Sequence, residues 1–215
     1  MYASHVDNQQ LTFFVSGKLW GASLIMGDKE TDSLWSHILG EGMSGKMKGK
    51  KLTILPAIVT TWEAWTQEHP DTTATMLKPT AVQFTTTYLN ALEIFSVGMV
   101  HESHTRYWKF ELLNEHEGPV NDSSGTLDVV VHFDKEHRTA TVWERKVGEQ
   151  TLTFVQQEVL VVDSETNSTW DLTKGLALDG ELQGSRLTAT TAVPTFTNAW
   201  KRFHLDSSVW EPSSP

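Results

Sequence analysis

The sequence contains no cysteine. That excludes disulfides, thiolate nucleophiles and cysteine-based zinc sites, and leaves the redox compartment open. No apolar run approaches the ~20 residues that a membrane-spanning helix needs, so membrane insertion is not expected. Basic residues are also scarce: 17 Lys and Arg stand against 27 Asp and Glu, giving a net charge of −10. The acidic residues are spread along the chain. A nucleic-acid partner would need a basic face, and an anionic membrane surface attracts clustered cations, so neither is expected. The opening MYASHVDNQQ has no basic stretch followed by an apolar one, and no signal peptide is read there. The bulk composition, 39% hydrophobic and 20% charged over 215 residues, is that of a soluble globular chain able to bury a core.

The dominant feature is a repeat. The stretch Asp28–Asp71 is written again, without a gap, as Asp163–Asp206. Asp28 matches Asp163, Trp35 matches Trp170, Gly45 matches Gly180, Trp65 matches Trp200 and His69 matches His204. Self-similarity at a fixed offset marks a duplicated structural unit. These ten residues are read as structural. Upstream, LTFFVSGKLWGASLIM at 11–26 pairs with LTFVQQEVLVV at 152–162, whose loop is six residues shorter. The first copy therefore carries an insertion around Lys18 to Ala22, and such loops are where binding differences between copies are expected.

The local signals are mainly those of strands and turns. D-x-E-T-x-S-x-W is a polar turn delivering a Trp, with Asp and Ser placed to bond nearby amides. TTWEAWTQEHP reads as a short helix, with Thr60 as its N-cap and Pro70 as its stop. Trp62, Trp65 and His69 fall on one face of that helix, where the imidazole can pack on the indole and cap the last carbonyls. Residues 74–92 read as a connector with a strand at AVQFTTTYL. IFSVGMV, TRYWKFELL, LDVVVHFD and TATVWERK are further strand-like runs, and EHEGPVNDSSG is a strong turn cluster.

Several motifs taken together resemble the domain-of-unknown-function family 3179: LTFFVSG, SLWSHILGEGMSG, LTILPAIVTTWEAWTQEHPDT, GPVNDSSG, and NSTWD with the downstream GELQGSRL. The resemblance brings no activity with it; it does imply export for many members. Two departures stand out. Where the family carries a cysteine-containing segment, this chain reads VVVHFDKEHRTA. And aligning Leu11 with Leu152 leaves the first copy without a counterpart of about residues 93–141, the mark of a shortened member or a fragment. The first copy's strands should therefore borrow partners from the middle segment or leave an exposed sheet edge.

Some patterns invite chemistry. Gly40–Lys46 fits G-x-x-x-x-G-K, but Met47 follows where a P-loop needs Ser or Thr. Turn glycines are the better reading. The lysines at 46, 48, 50 and 51 form a solvated basic patch. His101, His104, His132, Asp134 and His137 are the candidate metal ligands, since imidazole and carboxylate suit Zn²⁺ or Cu²⁺. Surface histidines in turns are the alternative. Asp28/Glu30 and Asp163/Glu165 could mimic a glycosidase carboxylate pair, yet their recurrence in both copies favours capping of backbone amides. Of nine tryptophans, Trp20, Trp62 and Trp108 lack a partner in the other copy and are the candidates for a ligand-binding surface.

The expected fold is mainly β, with few short helices. It is a duplicated β-rich unit with one short helix per copy, related by a pseudo-two-fold and sharing a core. The first copy spans 1–73, the connector 74–92 and the more complete second copy 93–210, within one compact body. The expected function is non-catalytic binding or structure in a microbial protein, with no cofactor. Its partner would be a small molecule, glycan or protein. A His/carboxylate metal enzyme or hydrolase, and an assembly module pairing through an open sheet edge, are the alternatives.

Overall fold

A computed structural model of the chain describes residues 1–21, 23–74 and 91–212. The strand expected at AVQFTTTYL lies outside the described residues. The first copy opens with a ribbon of β1 (His5–Val6) and β2 (Gln9–Gln10). It continues as an antiparallel meander of β3 (Phe13–Trp20), β4 (Ser23–Asp28), β5 (Leu34–Ser36) and β6 (Glu41–Ser44). A helix follows over Trp62–Glu68. The middle segment supplies β7 (Phe95–His101), β8 (His104–Lys109), a helix over Phe110–Glu115, β9 (Val120–Ser124), β10 (Leu127–Asp134) and β11 (Thr139–Glu144). The second copy repeats the ribbon as β12 (Lys146–Val147) and β13 (Gln150–Thr151). Its meander is β14 (Phe154–Gln157), β15 (Leu160–Asp163), β16 (Thr169–Asp171) and β17 (Leu176–Asp179). β18 (Val193–Phe196), a helix over Thr197–Phe203 and β19 (Ser208–Val209) complete it. The fold is thus mainly β with short helices, as expected.

The likeness of the copies extends beyond the repeated text. Leu11 N–H donates to the Ser4 carbonyl as Leu152 N–H donates to that of Arg145. Leu55 N–H reaches the Met1 carbonyl as Thr190 N–H reaches that of Val142. Tyr2 stands where Trp143 stands: the phenol donates to the His37 carbonyl at 2.7 Å, and the indole donates to the Leu172 carbonyl at 2.7 Å. Each ring also lies on a glycine of the β-turn region, Gly40 and Gly175 respectively. Different side chains, in the register that aligning Leu11 with Leu152 gives, fill one structural role.

The expectation that the first copy's strands would borrow partners is overturned for the meanders. Both are complete four-stranded units with the same order, because the Asp-to-Trp turn and glycine turns that shape them lie wholly within the repeat. The copies differ one element later. In the second copy β18 pairs along β7, inside the sheet β18-β7-β8-β19. The matching stretch Ile58–Thr61 pairs with no strand among the described residues. Nor do the copies share a core. Among the described residues the buried side chains form separate clusters: one around Trp108 and Val131, one around Leu152 and Trp170, and one around Leu11 and Trp35. The last is the smallest and belongs to the first copy.

Candidate functional site: an apolar cleft between the copies

Each meander is locked by a buried carboxylate. Asp28 accepts from Thr31 N–H (2.6 Å), from the Thr31 hydroxyl and from Trp35 Nε1 (2.8 Å). Asp163 does the same with Thr166 and Trp170 Nε1 (2.9 Å). Burial on its own would raise the Asp28 pKa, but these donors together hold the carboxyl below its usual range. Glu30 and Glu165 accept from Thr12 N–H and Thr153 N–H, at 2.6 and 2.7 Å. These acids cap amides and hold an indole in both copies. Ser33 and Ser168 accept from Met47 N–H and Leu182 N–H. At Gly45 and Gly180 φ is +82° and +93°, and an added Cβ would meet the Ser33 or Ser168 hydroxyl at 2.5 or 2.7 Å. The G-x-x-x-x-G-K stretch is a strand and its turn.

The two helices differ in their surroundings. Thr61, one residue beyond the expected cap, accepts from Ala64 N–H. Trp65 and His69 stack at 4.0 Å, Trp200 and His204 at 4.1 Å. Each His closes the helix with its backbone N–H, donated to the Trp carbonyl. Each indole donates outward in the same way, Trp65 to Thr72 and Trp200 to Ser207. Yet Trp200 is 2% exposed and lies flat on Gly98 of β7, while Trp65 is 37% exposed.

The candidate ligand tryptophans separate. Trp108 is fully buried and donates to Asp122, which also pairs with Arg106; it is core, because β8 turns it inward. Trp20 and Trp62 are exposed. Trp20 sits at the tip of the extended β3–β4 hairpin and meets Phe203 of the second copy edge-on at 4.9 Å.

The candidate metal set does not assemble, and no cluster of three or more His, Asp or Glu suited to a metal occurs among the described residues. His101 and His104 face each other across the β7–β8 turn, in a different sheet from the rest. His137 Nδ1 is 2.7 Å from Asp134 Oδ2. That hydrogen bond raises the His137 pKa. His132 lies half-buried on β10 opposite Thr141, and burial lowers its pKa against the pull of Asp134 and Asp171.

The feature that remains is a cleft of about 590 Å³ between the copies. One wall belongs to the first copy, with Tyr2, Leu24, Ile38, Ala57, Ile58 and Val59; the other carries Phe95, Phe110, Val193, Phe196 and Trp200. Phe95 stacks on Phe196 at 5.1 Å and meets Phe110 at 6.1 Å, so the second wall is a continuous aromatic surface. Burial pushes the Tyr2 phenol up to about 12 and the His37 imidazole down, so both are held neutral. Arg138 brings a guanidinium to the lining. No motif announced this site. Its local signal in the sequence was the apolar pair Ile58-Val59, which the fold leaves half exposed.

No helix among the described residues is long and apolar enough to cross a membrane. No curated protein and no solved structure matches the chain. The model of one family, described as a protein of unknown function (DUF3179), matches twice, over residues 1–90 and 82–207. The motifs, the repeated fold unit and these two matches agree: the chain belongs to the DUF3179 family.

Proposed function

We propose that the protein is a non-catalytic binding domain whose site is the cleft between its two copies. The observation carrying this reading is a cleft of about 590 Å³ lined from both sides by aliphatic and aromatic side chains. Its size is in the range of ligand sites, which are concave, mostly apolar and supplied with few polar groups. Because the lining is mostly aliphatic and aromatic, the chemistry favours an apolar moiety. Tyr2, Ser23 and Thr195 offer hydroxyls for orientation.

The test is titration with the neutral dye Nile red, read as blue-shifted emission. Saturable binding is expected, weakened at least about tenfold by Ile58→Asp, since a charge brought into an apolar site must be desolvated. Ile58 is 45% exposed, so this variant should fold. Absence of saturable binding, or equal affinity in the variant, would end the proposal.

A further inference from the structure

We infer that a second, polar pocket binds a neutral sugar unit through its hydroxyls. The pocket measures about 300 Å³, at the small end of the ~300–1,000 Å³ range of ligand sites. It shares no lining residue with the apolar cleft. It lies where the β7–β8 turn, the end of β9 and the approach to β19 come together, and the close of the V-N-D-S-S-G run at 120–125 lines it. The polar side chains of that run are employed in turn. The Asn121 amide donates to the Phe154 carbonyl at 2.7 Å and accepts from Phe154 N–H at 2.8 Å. Asp122 accepts from Trp108 Nε1 (2.8 Å) and from Arg106 Nε and Nη2 (2.7 and 3.0 Å).

Ser124 breaks the series. Side chains alternate along a strand, so Asp122 and Ser124 of β9 face the same way, as do His104, Arg106 and Trp108 of β8. Ser124 is only 2% exposed, yet its hydroxyl has no hydrogen-bond partner among the described residues. Buried hydroxyls are nearly always partnered, because leaving one unpaired costs free energy. On a pocket wall, such a group is a bonding point held ready. Gly125, with φ at +63°, completes the wall: a Cβ there would come within 2.6 Å of His104 Nδ1, so only glycine lets the imidazole lie over the turn. The lining decides the chemistry of the ligand. Ser103, Thr105, Ser123 and Ser208 bring further hydroxyls, and Asp206 an exposed carboxylate. Arg106 spends its charge on Asp122 and donates to Ser208 Oγ at 3.1 Å. Asp206 forms no ion pair among the described residues, and its charge disfavours an anion. A cation offers no acceptor for the hydroxyl protons. Sugar hydroxyls donate and accept at once, and two neighbouring ones can both donate to one carboxylate.

The test is saturation-transfer NMR on the whole chain with the methyl glycosides of glucose, galactose, mannose, xylose and N-acetylglucosamine. Inorganic phosphate, read by its phosphorus line width, is the anion control. Saturable binding of at least one glycoside is expected, weakened about tenfold by Asp206→Asn and about fivefold by Ser124→Ala. Asp206 is exposed, so the first variant should fold. Because the Ser124 hydroxyl has no partner to lose, Ser124→Ala should leave the melting temperature of the free protein unchanged or raise it. A marked drop would mean that the hydroxyl is bonded within the fold, and overturns the inference. Three other results overturn it as well. Binding by none of the glycosides leaves the site to water; binding indifferent to either substitution places the sugar elsewhere; phosphate bound in place of sugar makes the pocket an anion site. Equal affinity for the free sugars would point to a monosaccharide, and preference for the glycosides to the terminal residue of a glycan; either keeps the inference.

Discussion

A carboxylate such as Asp163, fully buried yet facing three backbone or hydroxyl donors and an indole, costs desolvation that only complete pairing offsets. Removing it strands the Trp170 Nε1–H and Thr166 N–H donors, at roughly 1–3 kcal/mol each. Asp163→Ala is therefore expected to lower stability by about 3 kcal/mol in urea denaturation; a loss under about 1 kcal/mol would mean that the indole finds another acceptor. The histidines set the pH dependence. Burial lowers the pKa of His132, His37 and His204. Each is a base with a depressed folded value, so its contribution is present above the unfolded value near ~6.5 and is lost as pH falls through that value. His137, raised by Asp134, acts in the opposite sense: its contribution is present below that value and is lost as pH rises through the folded pKa. Asp28, depressed by its donors, is lost only in more acid solution. Melting temperature should fall between pH 7.5 and 5.5, less steeply in His132→Gln and more steeply in His137→Gln. An unchanged slope in His132→Gln would remove that residue from the account.

Among elements, the pair of short helices offers an internal control. Trp65 and Trp200 share a stacking histidine, a hydroxyl acceptor and a capping amide, and differ in whether a sheet lies beneath. Trp200→Ala should cost about 3–5 kcal/mol, the range for deleting a buried aromatic, whereas Trp65→Ala should cost under about 1 kcal/mol. Chemical denaturation of the two variants decides it, and equal losses would show that the first helix is packed after all. The β3–β4 hairpin makes the opposite point. Its register shifts between Val15 and Lys18, and its extended tip carries Trp20 across to Phe203. An insertion visible in the sequence thus became a contact between the copies, a destination that hydrophobic pattern alone could not give because it depends on how the units are placed.

For the molecule as a whole, what the sequence made legible was whatever is local and repeated: the Asp-to-Trp turns, the paired glycines, the short helices, the mainly β character. Illegible were the features that depend on distance in space. Tyr2 replaces Trp143 with no shared letter, the Trp108 indole is claimed by Asp122, and His101 with His104 sits in another sheet from His137. The cleft was hidden for the same reason, being lined by residues far apart in the chain, where the surroundings of the two copies differ. That asymmetry also has a colloidal side. Ile58 and Val59 leave an exposed apolar edge, outside any assigned strand, on a molecule of net charge −10, whose mutual repulsion acts over only ~10 Å at 0.1 M salt. At low ionic strength charge should keep the edges of neighbouring molecules apart; added salt should let them meet. Light scattering is expected to show association rising with salt and suppressed by Val59→Lys, the kind of edge charge by which β-proteins protect themselves. Solubility, on this view, is where that exposed apolar edge is felt first.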